Sequence, residues 1–334
     1  MERYVWETTL ELARLGHEVQ VLCEYCPAEK PEGIKVHELG RMFYRPRWLY
    51  YWRFARRVKK WLDMHPQPGC LIHSHERVGV HDVTTFHGPP FASVREKPWW
   101  KKVSLRVAMQ LHMERRELRV ANCIVPNSSI IARQLARYYP EYAGKLAQPV
   151  VPGATPGVVR EPRKALQDGG IIGFVGKEWK RKGLQKAIEI AAWLRRTRPD
   201  LELHVVGPRA AEVQHLFSGW QGGYKLVGLS SHVEYAEFDV LLHPATAEPY
   251  GMVIAEAMAA CVPVVISDVC GAAEQVTSDS GTVLPLSASV ETWAGAVEKQ
   301  LKRDLPAPRY EHGWDKVAQE YEHLYSAIFR NAMK

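Results

Sequence analysis

His243-Pro244-Ala245-Thr246-Ala247-Glu248-Pro249-Tyr250-Gly251-Met252-Val253-Ile254-Ala255-Glu256-Ala257-Met258-Ala259 sets two carboxylates eight positions apart across a loop-to-helix junction. Residues 239–243 read as a short buried strand, 244–249 as its loop, and 250–260 as a helix rich in Ala, Met and Ile. Glu248 then falls before the first helical turn and Glu256 inside the helix. A helix N-terminus offers backbone N–H groups without intrahelical partners and a partial positive charge. Gly251, Met252 and Val253 are therefore expected to hold a phosphate, with Tyr250 beside them and no charged side chain required. The plainer alternative makes Glu248 an ordinary helix-start acid and Glu256 a solvated one.

A second pattern precedes it, Ile171-Ile172-Gly173-Phe174-Val175-Gly176-Lys177-Glu178-Trp179-Lys180-Arg181-Lys182-Gly183. A buried strand ends in Gly176, and a cationic loop leads into the next helix. A basic loop alone is most often a solvated face. One strand after a hinge and upstream of Glu248 and Glu256, it instead reads as a phosphate-facing loop.

Together the two patterns resemble the family 4 retaining glycosyltransferases, the large GT-B group that uses nucleotide-sugar donors. The resemblance implies that Glu248 contacts the donor sugar near its reacting carbon and that Glu256 holds the ribose hydroxyls. It implies that Lys177, Arg181 and Lys182 neutralise the donor diphosphate, Arg181-Lys182-Gly183 matching the form found in lipopolysaccharide-core members. The position usually filled by Arg is Lys177 here, a point charge in place of a bidentate fork. In the first half, Val83-Thr84-Thr85-Phe86-His87-Gly88-Pro89-Pro90 is similar to the family's strand-end Thr-Phe-His segment, which makes His87 a site residue, with His75 of His73-Ser74-His75 a weaker candidate. Family members normally begin with a central strand and a Gly-Gly loop. Met1-Glu2-Arg3-Tyr4-Val5 matches the helix after that loop, so the N-terminal sheet is expected to lack its usual first strand.

The expected fold is thus α/β, a GT-B arrangement of two Rossmann-like domains facing a cleft. Strand and helix patterns alternate throughout, including a strand at 147–151. The Pro/Gly-rich 152–157 segment reads as the hinge. It divides an acceptor-side domain, 1–152, from a nucleotide-sugar-binding domain, 153–312, and the resemblance returns the last helix, 313–334, to the first domain. The implied activity is transfer of a sugar from a nucleotide-diphosphate donor, a UDP-sugar, to an envelope glycolipid or polysaccharide acceptor with retention. A non-catalytic or truncated nucleotide-sugar-binding GT-B protein and a UDP-sugar epimerase are the alternatives.

Composition bounds the rest. The chain has 334 residues, 46% hydrophobic and 24% charged, as in an ordinary globular protein with room for two cores. No apolar run is long enough to span a bilayer and no signal peptide opens the chain, so a cytoplasmic location is expected. Cys23-Glu24-Tyr25-Cys26 has no second Cys pair to complete a metal site, the histidines at 73, 75, 81 and 87 look like a metal cluster only on paper, and the Asp-x-Asp signature of divalent-metal sites is absent. Neither a metal nor a cofactor is expected. The net charge of +7 is concentrated: between Arg41 and Lys60 there are eight basic residues, seven aromatics and no acid. On a helix from Trp48, residues Trp48, Tyr51, Trp52, Ala55, Val58 and Leu62 share one face, and Arg53, Arg56, Arg57 and Lys60 another. That face reads either as solvated cations over a packed helix or, with Trp99, Trp100, Lys101 and Lys102, as a peripheral contact with anionic lipid on the inner face of the cytoplasmic membrane. No nucleic-acid-binding motif accompanies the charge.

Overall fold

A computed structural model describes every residue except Ala28, Tyr44, Pro156, Met333 and Lys334. The chain divides into two compact units, one of Met1–Pro152 with the segment from Trp314, the other of Gly153–Gly313. The 152–157 segment therefore carries the division, although Pro156 lies outside the described residues, as do the last two positions of the 313–334 segment.

In chain order the first unit holds α1 (Glu2–Arg14), β1 (Val19–Cys23), β2 (Ile34–Glu38), α2 (Arg47–Met64), β3 (His73–Ser74), β4 (Val83–Phe86), α3 (Leu105–Val120), β5 (Cys123–Pro126) and α4 (Ser129–Tyr138). All strand pairs are parallel, but they form two separate sheets, β1-β2 and β3-β4-β5. No ladder joins β1 to β3 among the described residues, so the lane where a first strand would lie holds none. The expected strand at 147–151 does not form. Ala147 and Val150 still donate to Ile124 and Pro126 of β5, at 2.9 and 3.0 Å, but Pro149 between them has no N–H to give, and the ladder stops at an isolated bridge.

The hydroxyls of the first unit are tied together rather than left to solvent. Tyr4 on α1 meets the Tyr321 hydroxyl at 2.8 Å, and Tyr321 meets Thr85 Oγ1 of β4 at 2.8 Å. His73 of β3 spans Thr85 and Tyr325 at 2.8 and 2.6 Å. Glu114 of α3 is fully buried and satisfied: it accepts the N–H groups of Phe91 and Ala92, the Tyr139 hydroxyl and the Arg77 guanidinium. This carboxylate anchors the loop that leaves β4 after His87.

The second unit holds β6 (Gly169–Val175), α5 (Leu184–Leu194), β7 (Asp200–Val206), α6 (Ala210–Val213), β8 (Tyr224–Gly228), β9 (Val240–His243), α7 (Met252–Ala259), β10 (Val264–Ser267), β11 (Gly281–Leu284) and α8 (Val290–Leu301). Its six strands make one parallel sheet in the order β11-β10-β9-β6-β7-β8. The order reverses direction between β6 and β9, the place where open α/β sheets leave a crevice at the carboxyl ends of their strands. The core follows the period of two: Leu201, Leu203 and Val205 of β7 join one buried cluster with Leu184, Ile188 and Ala191 of α5 and Trp293 and Val297 of α8. Helix α9 (Trp314–Ala332) belongs to the first unit, where it packs on α1.

Candidate functional site

β6 and β9 are neighbouring parallel strands, so the loops that follow them, 176–183 and 244–251, leave the same end of the sheet. They are bonded to each other. The Thr246 N–H and hydroxyl both donate to the Arg181 carbonyl, at 2.8 and 3.0 Å, and Arg181 Nη1 reaches the Ala247 carbonyl. Gly176, at φ 156°, has a further use: a Cβ there would stand 2.0 Å from Cδ of Lys182, so only glycine lets the lysine stem cross the strand end. On the far side, the Glu248 and Tyr250 carbonyls accept the N–H groups of Gly271 and Ala272 at 3.0 and 2.8 Å. The glutamate is therefore held from both sides.

Glu248 is 9% exposed and sits among positive groups. Its Oε2 lies 3.2 Å from Lys182 Nζ, 3.3 Å from Arg181 Nη1 and 3.5 Å from His243 Nε2. Burial works to raise its pKa, but the His243 imidazole, Lys182 and Arg181 together outweigh burial and hold it at about 2. His243 is fully buried, and burial in turn lowers its own value. Neither of its ring nitrogens completes a hydrogen bond within the described residues, and its 3.5 Å approach to Glu248 lies at the limit of such a bond. In the sequence His243 is only the end of a strand; its contact with Glu248 arises from the turn at Pro244.

Glu256 faces Tyr235, in a single 3-10 turn ahead of β9, whose hydroxyl donates to Oε2 at 2.5 Å. Helix α7 starts at Met252 behind Gly251, its N-cap in the left-handed region at φ 100°, so Gly251, Met252 and Val253 form the first turn at the same strand end as Glu248. Tyr250 is buried, with its hydroxyl 3.3 Å from that of Tyr310. Lys177 is exposed and makes no ion pair among the described residues. Arg181, a third exposed, is also bound by Glu178 at 2.5 Å. The structure thus brings together Gly176, Arg181, Lys182, Glu248 and the start of α7, leaves Lys177 at the rim, and turns the Tyr250 hydroxyl toward Tyr310.

His87 belongs to the first unit. It meets His75 through a 2.9 Å bond between ring nitrogens, packs edge-on to Tyr4 with centroids 4.8 Å apart, and its carbonyl accepts from Asn127 at 3.2 Å. Burial, then His75, push its pKa well below the ordinary range, and burial pushes His75 down to about 3, so both imidazoles are neutral at pH 7. Among the described residues no group of three or more His, Cys, Asp or Glu is arranged to hold a metal ion, and no helix is long and apolar enough to cross a membrane.

The family described as glycosyl transferases group 1 matches residues 159–319, and Glycosyltransferase Family 4 matches residues 1–147. The D-inositol 3-phosphate glycosyltransferase of Corynebacterium urealyticum is 25% identical over 62% of this chain and 57% of its own length. The lipopolysaccharide glucosyltransferase WaaG of Escherichia coli is 32% identical over 51% of this chain and 47% of its own. The chain thus spans about half the length of these curated relatives. In three dimensions a crystal structure of WaaG, described as a glycosyltransferase involved in lipopolysaccharide biosynthesis, aligns over 99% of this chain and 94% of that one, with a TM-score of 0.71 and 20% identity. Anabaena Alr3699/HepE, solved in complex with UDP-glucose, aligns over 88% and 86% with a TM-score of 0.65 and 16% identity. Both structural matches speak to the fold, which is GT-B. The chain belongs to the GT-B glycosyltransferases, with a family 4 domain at its N-terminal end and a group 1 domain after it.

Proposed function

We propose that the protein transfers a sugar from a UDP-sugar to an envelope glycolipid or polysaccharide acceptor, with retention of configuration. The observation that carries this reading is the convergence of Arg181, Lys182 and His243 on the buried Glu248 at the mouth of β6 and β9, one turn ahead of α7. A departing nucleoside diphosphate gains negative charge at the bond that breaks. Fixed cations and a helix start aimed at that position stabilise the transition state more than the ground state. Arg181 and Lys182 supply the cations, and the N–H groups of Gly251, Met252 and Val253 supply the dipole. No metal is needed in this scheme. Without a donor the two cations rest on Glu248; with one they are shared between Glu248 and the phosphates, and the carboxylate, ionised throughout, orients the sugar. Glu256, steadied by Tyr235, holds the ribose. HepE, of the same fold, is solved with UDP-glucose, which supports the choice of base. WaaG's part in lipopolysaccharide biosynthesis supports the acceptor class; a peripheral seat on the cytoplasmic face of the membrane belongs to the same proposal.

The roles of the two glutamates separate in one experiment. Glu256→Ala is expected to weaken UDP binding by about tenfold, the loss of one or two hydrogen bonds to a charged acceptor. Glu248→Ala is expected to leave UDP binding within about threefold while turnover with the UDP-sugar falls by roughly a hundredfold or more. Calorimetry with UDP and a donor-consumption assay on both variants measure this. Unchanged UDP affinity in Glu256→Ala removes the ribose assignment, and full turnover in Glu248→Ala removes the catalytic one.

A further inference from the structure

Between α2 and α3 in the first unit lies a small cavity of about 90 Å³, lined by Trp52, Arg77, Gly79, Met109, His112 and Arg116 among others. No carboxylate lines it. Its polar wall consists of two guanidiniums and an imidazole, groups that donate. The two arginines differ. Arg77 is matched, with Glu114 at 2.8 Å and Glu117 at 3.7 Å on its inner side. Arg116 makes no hydrogen bond or ion pair with any described residue. It lies against Gly79: that residue has φ +65°, and a Cβ there would stand 2.8 Å from Arg116 Nε and 3.1 Å from its Cζ, so glycine leaves the room the guanidinium occupies. A half-buried guanidinium beside a cavity and left without an anion is a fork ready for a planar or tetrahedral oxyanion.

The surroundings raise the local concentration of anions. Arg53, Arg56 and Lys60 stand exposed along α2, and Arg56 lies 4.6 Å over the Trp52 ring at the cavity's edge. Lys59 is paired with Asp63 and Arg57 with the carbonyls of Leu39 and Gly40, so those two cations are engaged elsewhere. We propose that the cleft between α2 and α3 is a phosphate-monoester site, with Arg116 as its bidentate ligand and His112 as a second donor. A monoester carries about two negative charges near neutral pH and suits a paired cationic wall better than a carboxylate does. The phosphate comes either from a lipid headgroup or from solution. The site is distinct from the diphosphate-binding residues of the second unit and does not depend on the reading given to them.

Calorimetry on the full chain tests the proposal, with UDP added in excess so that phosphate taken up by Arg181 and Lys182 is not counted. One arm titrates a short-chain phosphatidic acid below its micellar concentration, the other inorganic phosphate. The expected result is binding in at least the lipid arm that falls tenfold or more in Arg116→Gln, falls several-fold in Arg116→Lys, which keeps the charge but loses the fork, and is unchanged in Arg119→Gln on the exposed side of α3. Binding of both ligands with the same dependence on Arg116 places the recognition in the phosphate alone; binding of the lipid only places its source in the headgroup. No binding in either arm, or binding equal in wild type, Arg116→Lys and Arg116→Gln, overturns the site.

Discussion

Glu248 is the residue on which the second unit's electrostatics turn. Its pKa falls from an ordinary 4.5 to about 2 because His243, Lys182 and Arg181 outweigh burial. A carboxylate whose folded value lies below its unfolded one stabilises the fold above the unfolded value, and that contribution is lost as pH falls from about 4.5 through about 2. At pH 7 it amounts to at most about 3 kcal/mol for a group this buried. Glu248→Gln is therefore expected to be less stable than wild type at pH 7 by about 1–3 kcal/mol, with the gap closing below pH 3. Denaturant unfolding of both chains across this range measures it, and a gap that stays constant with pH contradicts the assignment. At this scale the sequence was partly legible. Glu248, Arg181, Lys182 and Gly176 stand in recognisable local patterns, whereas His243 and Tyr235 act through contacts made only when the loops after β6 and β9 and the turn at Tyr235 come together. Lys177, placed in the site by the family resemblance, is exposed, since nothing in the local sequence fixes a long flexible side chain.

Helices were legible from their periodicity, strands less so where a single residue decides pairing. The 147–151 run alternates well enough for a strand, yet Pro149 withholds the donor that a ladder needs. Helix α2 shows both outcomes. Ala55 and Val58 are buried as the apolar stripe requires, but Trp52 is 37% exposed, held at the surface under Arg56, and Arg57 is spent on the carbonyls after β2. The turn before α3 presents Trp99 and Trp100 at 72% and 62% exposure beside Lys101 and Lys102. An aromatic pair among cations is the composition that seats a helix or turn in the headgroup layer. If this face meets the membrane, each cation near the surface adds about 1 kcal/mol of attraction to anionic lipid. Arg53→Gln with Arg56→Gln is then expected to lower binding to phosphatidylserine-containing vesicles by roughly thirtyfold at low salt, with neutral vesicles unbound throughout. Co-sedimentation reads the effect; binding that ignores lipid charge leaves the cations as solvated side chains.

Across the molecule, the alternation of strand and helix announced two parallel α/β units, and the Pro/Gly-rich segment near residue 152 marked where they divide. The second unit's six-stranded order could not be read from the chain, since strands buried on both faces show no alternation to mark their neighbours. In the first unit, five strands split between two sheets, and the buried Tyr4, Tyr321, Thr85 and His73 hydrogen bonds join α1, β3, β4 and α9 in their place. The two made by Tyr321 link positions more than two hundred residues apart, beyond the reach of any local pattern. Recognition of a nucleoside diphosphate by Arg181 and Lys182 is the proposal on which the catalytic reading of the second unit rests. Its most direct test is calorimetry of the double variant Arg181→Ala, Lys182→Ala with UDP and, separately, with uridine. Charge-assisted bonds to phosphate are worth about 1.5–3 kcal/mol each, so affinity for UDP is predicted to fall by roughly a hundredfold or more while affinity for uridine changes by less than about threefold. Equal losses for the two ligands, or UDP affinity retained in the double variant, would contradict it.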